Sequence, residues 1–213
     1  MAKTFKDLSP EQLAKFQAVC EKFGIDHNNV PALVSTEVSR GGILCGHPAG
    51  SSHFPISRSL TVNSIQELNA LGGVQDEHYT KGLASDSTVD YPPEAASLAL
   101  PSLASCNGDV CQLKDSMSLE QHAAVAQAMN AYLLGNSAKV ANYEEQINAI
   151  HFPMTVAAQA AQDIVITANN PLIIDNPTGA PTTIVAGTVT VKPGGYILMK
   201  TPLNLNCQVF IQE

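Results

Sequence analysis

The sequence is poor in charged residues. Lysine, arginine, aspartate and glutamate make up 14% of its 213 residues, where roughly 25% is usual for a soluble protein. The 11 basic residues are outnumbered by 19 acidic ones, which gives a formal net charge of −8. Proteins that bind nucleic acids or anionic membranes normally present a basic face to the phosphates. We therefore expect no nucleic-acid partner and no docking on an anionic membrane.

Tryptophan and long apolar runs are also missing. The chain has no tryptophan and 5% aromatic residues, which leaves few flat surfaces for stacking against sugars. No run approaches the roughly 18 apolar residues of a membrane span. The opening residues MAKTFKDLSPEQ lack the apolar core and cleavage site of a secretory signal. We expect a cytoplasmic protein, with leaderless export as the alternative.

Cysteines are sparse and odd in number, which favours reduced thiols. Two close pairs, the usual pattern of a zinc site, are absent. The stretch CNGDVC at 106–111 is an exception, because its Asn-Gly turn could bring Cys106 and Cys111 together. A disulfide and a plain polar turn both stay open there. We expect no cofactor. The five cysteines are Cys20, Cys45, Cys106, Cys111 and Cys207.

Three tetrapeptides predict helix starts. SPEQ at 9–12, SIQE at 64–67 and SLEQ at 118–121 each place serine three residues before glutamine or glutamate, which is the pattern of a capping box. Helices are predicted to follow over 10–22, 65–71 and 119–134. Apolar spacing predicts further helices over 32–38 and 138–150. Residues 76–117 are rich in proline and serine and predict an irregular segment.

From about residue 163 onward the pattern becomes that of β-strands. In TTIVAGTVTV at 182–191, strict alternation predicts one face with Thr183, Val185, Gly187, Val189 and Val191, and another with Ile184, Ala186, Thr188 and Thr190. In the last strand it predicts one face with Leu203, Leu205, Cys207, Val209 and Ile211, and a wettable face with Asn204, Asn206, Gln208 and Gln212. This strand has no lysine or proline to protect an edge, so we expect it to favour a homo-oligomer.

These patterns predict an α+β fold. A mostly helical part at 1–155, which includes the irregular segment 76–117, precedes a small β module at 163–213. The module is expected to contain four or five antiparallel strands in a sandwich- or meander-like arrangement. Such a small sheet must pack on the helical part or on another copy of the chain.

Residues 40–58 form the main candidate site. The only two arginines of the chain, Arg40 and Arg58, bracket a window without aspartate or glutamate. Guanidinium groups bind carboxylates and phosphates through paired hydrogen bonds, and glycines allow backbone N–H groups to approach an anion. The predicted anion-binding residues are Arg40, Gly42, His47, Ser51, Ser52, His53 and Arg58. The alternative is that both arginines pair with acids elsewhere and the glycines serve a turn.

Two further interpretations use the same window. Cys45, His47 and His53 could together ligate zinc or copper. Cys45 could instead be a nucleophile activated by His47 or His53. Neither interpretation finds a supporting carboxylate nearby, so we favour no metal and no catalytic role.

We expect a non-enzymatic binding or assembly protein that self-associates and that recognises an anionic group through residues 40–58. The alternatives are a cysteine-dependent enzyme acting on an anionic small molecule, a metal-binding protein, or a leaderless secreted effector or toxin.

Overall fold

The computed structural model describes residues 3–37, 58–176 and 180–213, and the backbone of 43–44. The chain divides into two compact units. Unit one combines residues 1–61 with 155–213, and unit two comprises residues 62–154. Unit two is therefore an insertion within the sequence of unit one.

Helices and strands are distributed unevenly between the units. The described residues form six α-helices: α1 (Pro10–Lys22), α2 (Ile65–Gly72), α3 (Asp76–Thr80), α4 (Val110–Ser116), α5 (Leu119–Leu134) and α6 (Glu144–His151). They form eight strands: β1 (Leu33–Ser35), β2 (Ile43–Leu44), β3 (Arg58–Val62), β4 (Met154–Ile166), β5 (Leu172–Ile174), β6 (Thr182–Val191), β7 (Ile197–Met199) and β8 (Leu203–Gln212). Short 3-10 helices lie at Phe5–Asp7, His27–Asn29, Ala95–Leu98, Ala104–Cys106 and Ser137–Tyr143.

All three predicted helix starts are confirmed, and the complete capping box forms at Ser9 and Ser118. Ser9 Oγ accepts the Gln12 N–H at 3.3 Å, and the Gln12 side chain accepts the Ser9 N–H at 3.0 Å. The same reciprocal pair begins α5 at Ser118. Ser64 caps α2 by accepting the N–H of Glu67 at 3.2 Å. These local bonds satisfy backbone donors that the first helical turn leaves unpaired.

Two local predictions are wrong. Residues 33–35, expected in a helix over 32–38, form the strand β1, which pairs with β4. The N–H of Gln162 also donates to Pro31 O at 2.9 Å, so tertiary pairing overrides the local helical spacing. The segment 76–117, expected to be irregular, contains α3 and α4. Its Asp109 caps α4 by accepting the N–H of Cys111 at 2.8 Å.

The strands of unit one form two mostly parallel sheets. In the described part of the chain, the first sheet has five strands, ordered β1-β4-β6-β8 with β3 also paired to β4. The second sheet has three, ordered β2-β5-β7. The pairs β1–β4, β4–β6, β6–β8, β2–β5 and β5–β7 are all parallel. The fold is thus α/β with a mostly parallel sheet.

This strand order describes a short β-solenoid. The chain passes from β1 to β2, from β4 to β5 and from β6 to β7, and then returns to the first sheet as β8. Each passage places its strands beside those of the preceding passage, which is the arrangement of stacked solenoid repeats. Unit two follows the first turn in sequence and precedes the second.

The predicted antiparallel module is therefore wrong. The segment KPGG at 192–195 is a turn, in which the Gly195 N–H donates to Lys192 O at 2.7 Å. It carries the chain into the second sheet, where β7 runs parallel to β5, and does not return it along β6 as a hairpin. Alternation of apolar and polar residues is the same in both kinds of strand, so it did not reveal the direction of pairing.

In the core between the two sheets, the set of strand residues that faces inward changes part-way along β6. In β6, Ile184 and Ala186 belong to the core, and so do Val189 and Val191. The step from Ala186 to Val189 is three residues instead of two, so the inward face moves by one position near Gly187. We call this change the phase shift. The strict alternation predicted for 182–191 is wrong at this point.

The phase shift runs across three neighbouring strands. Registered pairing of β6 with both β4 and β8 continues through Ala186 and resumes at Thr188. The residues at the gap are Gln162 in β4, Gly187 in β6 and Gln208 in β8. All three strands therefore change phase at the same level of the sheet.

The N-terminal segment covers the outer face of β6 at the phase shift. A Cβ atom on Gly187 would lie 2.1 Å from Phe5 Cδ2 and 2.7 Å from Gln162 O. The Phe5 ring packs edge-on against Phe16 of α1, with centroids 5.2 Å apart. Asp163 Oδ1 accepts hydrogen bonds from the Phe5 N–H at 2.8 Å and from the Thr188 hydroxyl at 2.5 Å. Because α1 packs on β6 and β8, the outer face of β6 is buried as completely as its inner face.

Unit two is a helical unit stabilised by partly buried polar contacts. The Asp76 carboxylate accepts the Ser137 N–H at 2.9 Å and the Ser137 hydroxyl at 2.8 Å. The Ile65 N–H donates to Asn148 Oδ1 at 2.8 Å. These bonds join its N-terminal and C-terminal segments.

Replacing Gly187 by alanine should destabilise the protein. Gly187→Ala adds a methyl group against Phe5 and Gln162 O, and we expect the free energy of unfolding to fall by about 1–3 kcal/mol. Denaturant unfolding of the variant and the wild type measures the change.

The double variant Phe5→Ala/Gly187→Ala provides the control. Removal of the Phe5 ring should relieve part of the clash, so Gly187→Ala should cost less in that background. An equal cost in both backgrounds would show that Phe5 does not confine this position.

Candidate functional site

Most of the predicted anion and metal site lies outside the described residues. These residues are Arg40, Gly42, Cys45, His47, Ser51, Ser52 and His53. The predicted anion, metal and cysteine roles that depend on them stay predictions. Arg58 is the only predicted site residue whose side chain the structure describes.

Arg58 contacts the end of α1. Its Nη1 donates to Gly24 O at 2.9 Å, and Gly24 adopts the left-handed conformation with φ +63°. A cation at this place compensates the unpaired carbonyls at a helix C-terminus. The bond occupies one of the five guanidinium N–H groups, and the residue is exposed.

On one side of unit one the first sheet ends at β8 and the second sheet ends at β7. We call these two edges together the open end. Among the described strands, β8 pairs only with β6, and β7 pairs only with β5. Ten residues of β8 therefore present one side of their backbone without a strand partner. Unpaired backbone N–H and C=O groups along a regular strand are a template for another strand.

Large apolar side chains are exposed at the open end. Phe210 of β8 is 51% exposed and Met199 of β7 is 63% exposed, and Leu198 and Tyr196 are also exposed. The core residues Leu203, Leu205 and Cys207 are only partly buried. Several large apolar side chains exposed at one end of a fold are typical of an interaction site.

The open end carries little charge. The sequence of β8, LNLNCQVFIQ, contains no lysine, arginine, aspartate or glutamate. Burial raises the pKa of the Cys207 thiol, which keeps it neutral near pH 7. The charged side chains that flank this surface form local pairs, Lys192 with Glu213 at 2.9 Å and Lys200 with Asp175 at 2.8 Å.

Two polar side chains inside the solenoid have no hydrogen-bond partner among the residues that the structure describes. Gln159 is 4% exposed, and neither its Nε2 nor its Oε1 bonds any described residue. Its register partner is Ile184, a core residue, so the amide faces the core. The hydroxyl of Thr182, also buried, is likewise without a partner among the described residues.

Several titratable side chains of unit two have structural roles. The Asp86 carboxylate accepts a bond from Lys139 Nζ at 2.6 Å and from the Tyr91 hydroxyl at 2.6 Å. Both bonds lower the pKa of Asp86, with Lys139 the larger cause. Burial, followed by the bond to Asp86, raises the pKa of Tyr91 to about 12. These groups are fixed in one protonation state near pH 7, which suits fastening a loop better than proton transfer.

A basic cluster in unit two comprises His151, Lys114 and His122. Burial lowers the pKa of His151 below 6.5, and the charges of Lys114 and His122 lower it further. The His122 ring nitrogen Nε2 lies 3.0 Å from Lys114 O.

The other thiols that the structure describes are Cys20, Cys106 and Cys111. Burial, followed by the nearby Glu21 charge, raises the pKa of Cys20 to about 11. Cys106 and Cys111 are free thiols, the first buried and the second exposed. The disulfide that the sequence left open is therefore not formed.

Within the ranges that the structure describes, no helix is long and apolar enough to cross a membrane. No group of three or more potential metal ligands occurs among the same residues. The comparisons with known proteins add no relative: no family model, no curated protein and no solved structure matches this chain.

Replacing Gln159 by methionine should stabilise the protein. Gln159→Met keeps the length of the side chain but removes two buried polar atoms without partners, and we expect the free energy of unfolding to rise by about 1–3 kcal/mol. Thermal unfolding measures the shift.

Gln146→Met is the matched control. Gln146 is also buried, and its Oε1 has no partner among the described residues, but its Nε2 donates to Pro101 O at 3.0 Å. The same substitution there removes one formed bond, so it should give a smaller gain in stability or a loss. If both variants lose stability alike, the amide of Gln159 has a partner.

The lowered pKa of His151 predicts a loss of stability in acid. Above pH 6.5 His151 is neutral in the folded and the unfolded chain. As the pH falls below 6.5, His151 binds a proton in the unfolded chain before it does so in the folded chain. The free energy of unfolding therefore falls until the pH passes the pKa of His151 in the folded protein. The measurement is the urea midpoint at about pH 7.5 and about pH 5.

His151→Gln removes this titration and should make the acid loss smaller. An unchanged loss in His151→Gln would assign the acid sensitivity to other groups.

Proposed function

We propose that the protein is a non-enzymatic assembly protein that self-associates through the open end. The observation that carries the proposal is the ten-residue edge of β8, which has no strand partner among the described residues and is flanked by exposed apolar side chains. Pairing with another strand would satisfy its backbone groups and cover this apolar surface.

Charge supports a second copy as the partner. Each copy carries a formal charge of −8, so copies repel one another over most of their surface. The strand β8 contains no lysine, arginine, aspartate or glutamate. It is therefore a place where two copies can meet without bringing like charges together.

Recognition of an anionic group through residues 40–58 belongs to the same proposal. Arg58 contributes an exposed guanidinium, whose Nη1 donates a hydrogen bond to Gly24 O. The cysteine-dependent enzyme and the metal-binding protein stay as alternatives, because they depend on Cys45, His47 and His53, which lie outside the described ranges. The leaderless secreted effector or toxin also stays an alternative.

A charge placed at the open end should weaken self-association. Phe210→Lys places an ammonium group where the proposed contact excludes water, and a buried charge without a partner is costly. We expect the dimer dissociation constant to rise at least about tenfold. Light scattering during size-exclusion chromatography, over a range of protein concentrations, measures it.

Leu119→Lys is the matched control. Leu119 is 89% exposed at the start of α5 in unit two, so the same charge change there should leave self-association unaltered. A wild-type protein that stays monomeric at the highest concentrations would overturn the proposal. Equal weakening by both variants would assign the effect to net charge.

A further inference from the structure

The phase shift gives the edge strand β8 a symmetrical order of inward and outward side chains, and this order favours one kind of partner strand. In register with β6, Val209 lies beside Thr188 and Phe210 lies beside Val189. Val189 is a core residue, whereas the Thr188 hydroxyl bonds Asp163 on the outer face. Val209 therefore faces outward and Phe210 inward, which reverses the assignment that strict alternation predicts for Val209.

The order of inward and outward side chains along residues 205–212 of β8 is the same in both chain directions. From 205 to 212 the faces are inward, outward, inward, outward, outward, inward, outward, inward. Position 208 lies level with Gly187, whose Cβ direction points at Phe5 on the outer face. The centre of this palindrome lies between Gln208 and Val209.

We infer that two copies of the chain pair through antiparallel β8 strands about a two-fold axis between Gln208 and Val209. This inference rests on the proposed self-association. Directly opposite residues of antiparallel strands lie on the same face of a sheet. With the axis at this point, each inward residue from 205 to 212 faces an inward residue of the partner, for example Cys207 opposite Phe210.

Strand length also favours the pairing of β8 with β8 of a second copy. The opposite edge of the first sheet is formed by β1, with three residues, and by β3, with five. A head-to-tail contact would place the continuous ten-residue β8 against two shorter strands. The isologous contact pairs equal lengths, and it closes at two copies instead of growing into a fibre.

The phase shift also fixes the register of the proposed contact. Strands that change phase can pair continuously only when their shifts coincide, as they do at 162, 187 and 208 within one copy. A two-fold axis at the shift of β8 meets this condition between copies. It also turns the exposed Leu198 and Met199 of the two open ends toward each other.

Distances between identical positions test this geometry. Single cysteines are introduced by Asn204→Cys, Asn206→Cys or Gln212→Cys in the full chain with Cys45, Cys111 and Cys207 replaced by alanine. Spin labels on them report the distance to the same residue of the other copy by pulsed electron paramagnetic resonance. Along antiparallel strands of about 3.3 Å per residue, we expect about 17 Å at 206, about 23 Å at 212 and about 30 Å at 204.

The outcomes separate this inference from the proposed function. Dimers with these unequal distances support it. Dimers that show the same distance at all three positions would overturn the antiparallel contact and indicate a parallel one, while self-association would stand. Oligomers larger than dimers would indicate head-to-tail stacking and also overturn it. A labelled chain and a wild-type chain that are both monomeric would overturn the inference together with the proposed function.

Discussion

The parallel register of β4, β6 and β8 is the constraint on which the rest of unit one depends. It aligns the core residues of successive turns, and it aligns the phase shift of the three strands at one level. At that level Gly187 admits the Phe5 ring, and Asp163 holds both the Phe5 backbone and the Thr188 hydroxyl. The position of α1 over the sheet follows from this contact, because Phe5 and Phe16 pack together.

The sequence predicts well what is decided locally. A serine followed three residues later by glutamine satisfies its own helix end, so α1 and α5 begin where the pattern places them. The direction of strand pairing depends on where a distant strand lies, and alternation carries no sign of it. The strand β1 was missed for the same reason, because its partner in β4 is about 130 residues away by register, Leu33 with Asp163.

The features of the candidate site can be separated in the same way, into those that local sequence shows and those that depend on tertiary contacts. The unprotected last strand is visible in its composition, which lacks lysine and proline, and in the structure β8 is an edge. The phase shift within it was not visible, because it depends on the packing of Phe5 against Gly187, and a glycine within a strand can mark several local irregularities. The bond from Arg58 to Gly24 O was equally hidden, since it joins residues that only the tertiary structure brings together.

The insertion of unit two between two turns has a consequence for folding. Pairing of β4, β6 and β8 closes short loops, with register offsets of 25 residues from Ala157 to Thr182 and 21 from Thr182 to Leu203. Pairing of β1 with β4 must instead close a loop that contains all of unit two, which costs more chain entropy. The bond from the Ile65 N–H to Asn148 draws the ends of unit two together once it has folded. A folded unit two therefore shortens the loop that the pairing of β1 with β4 has to close.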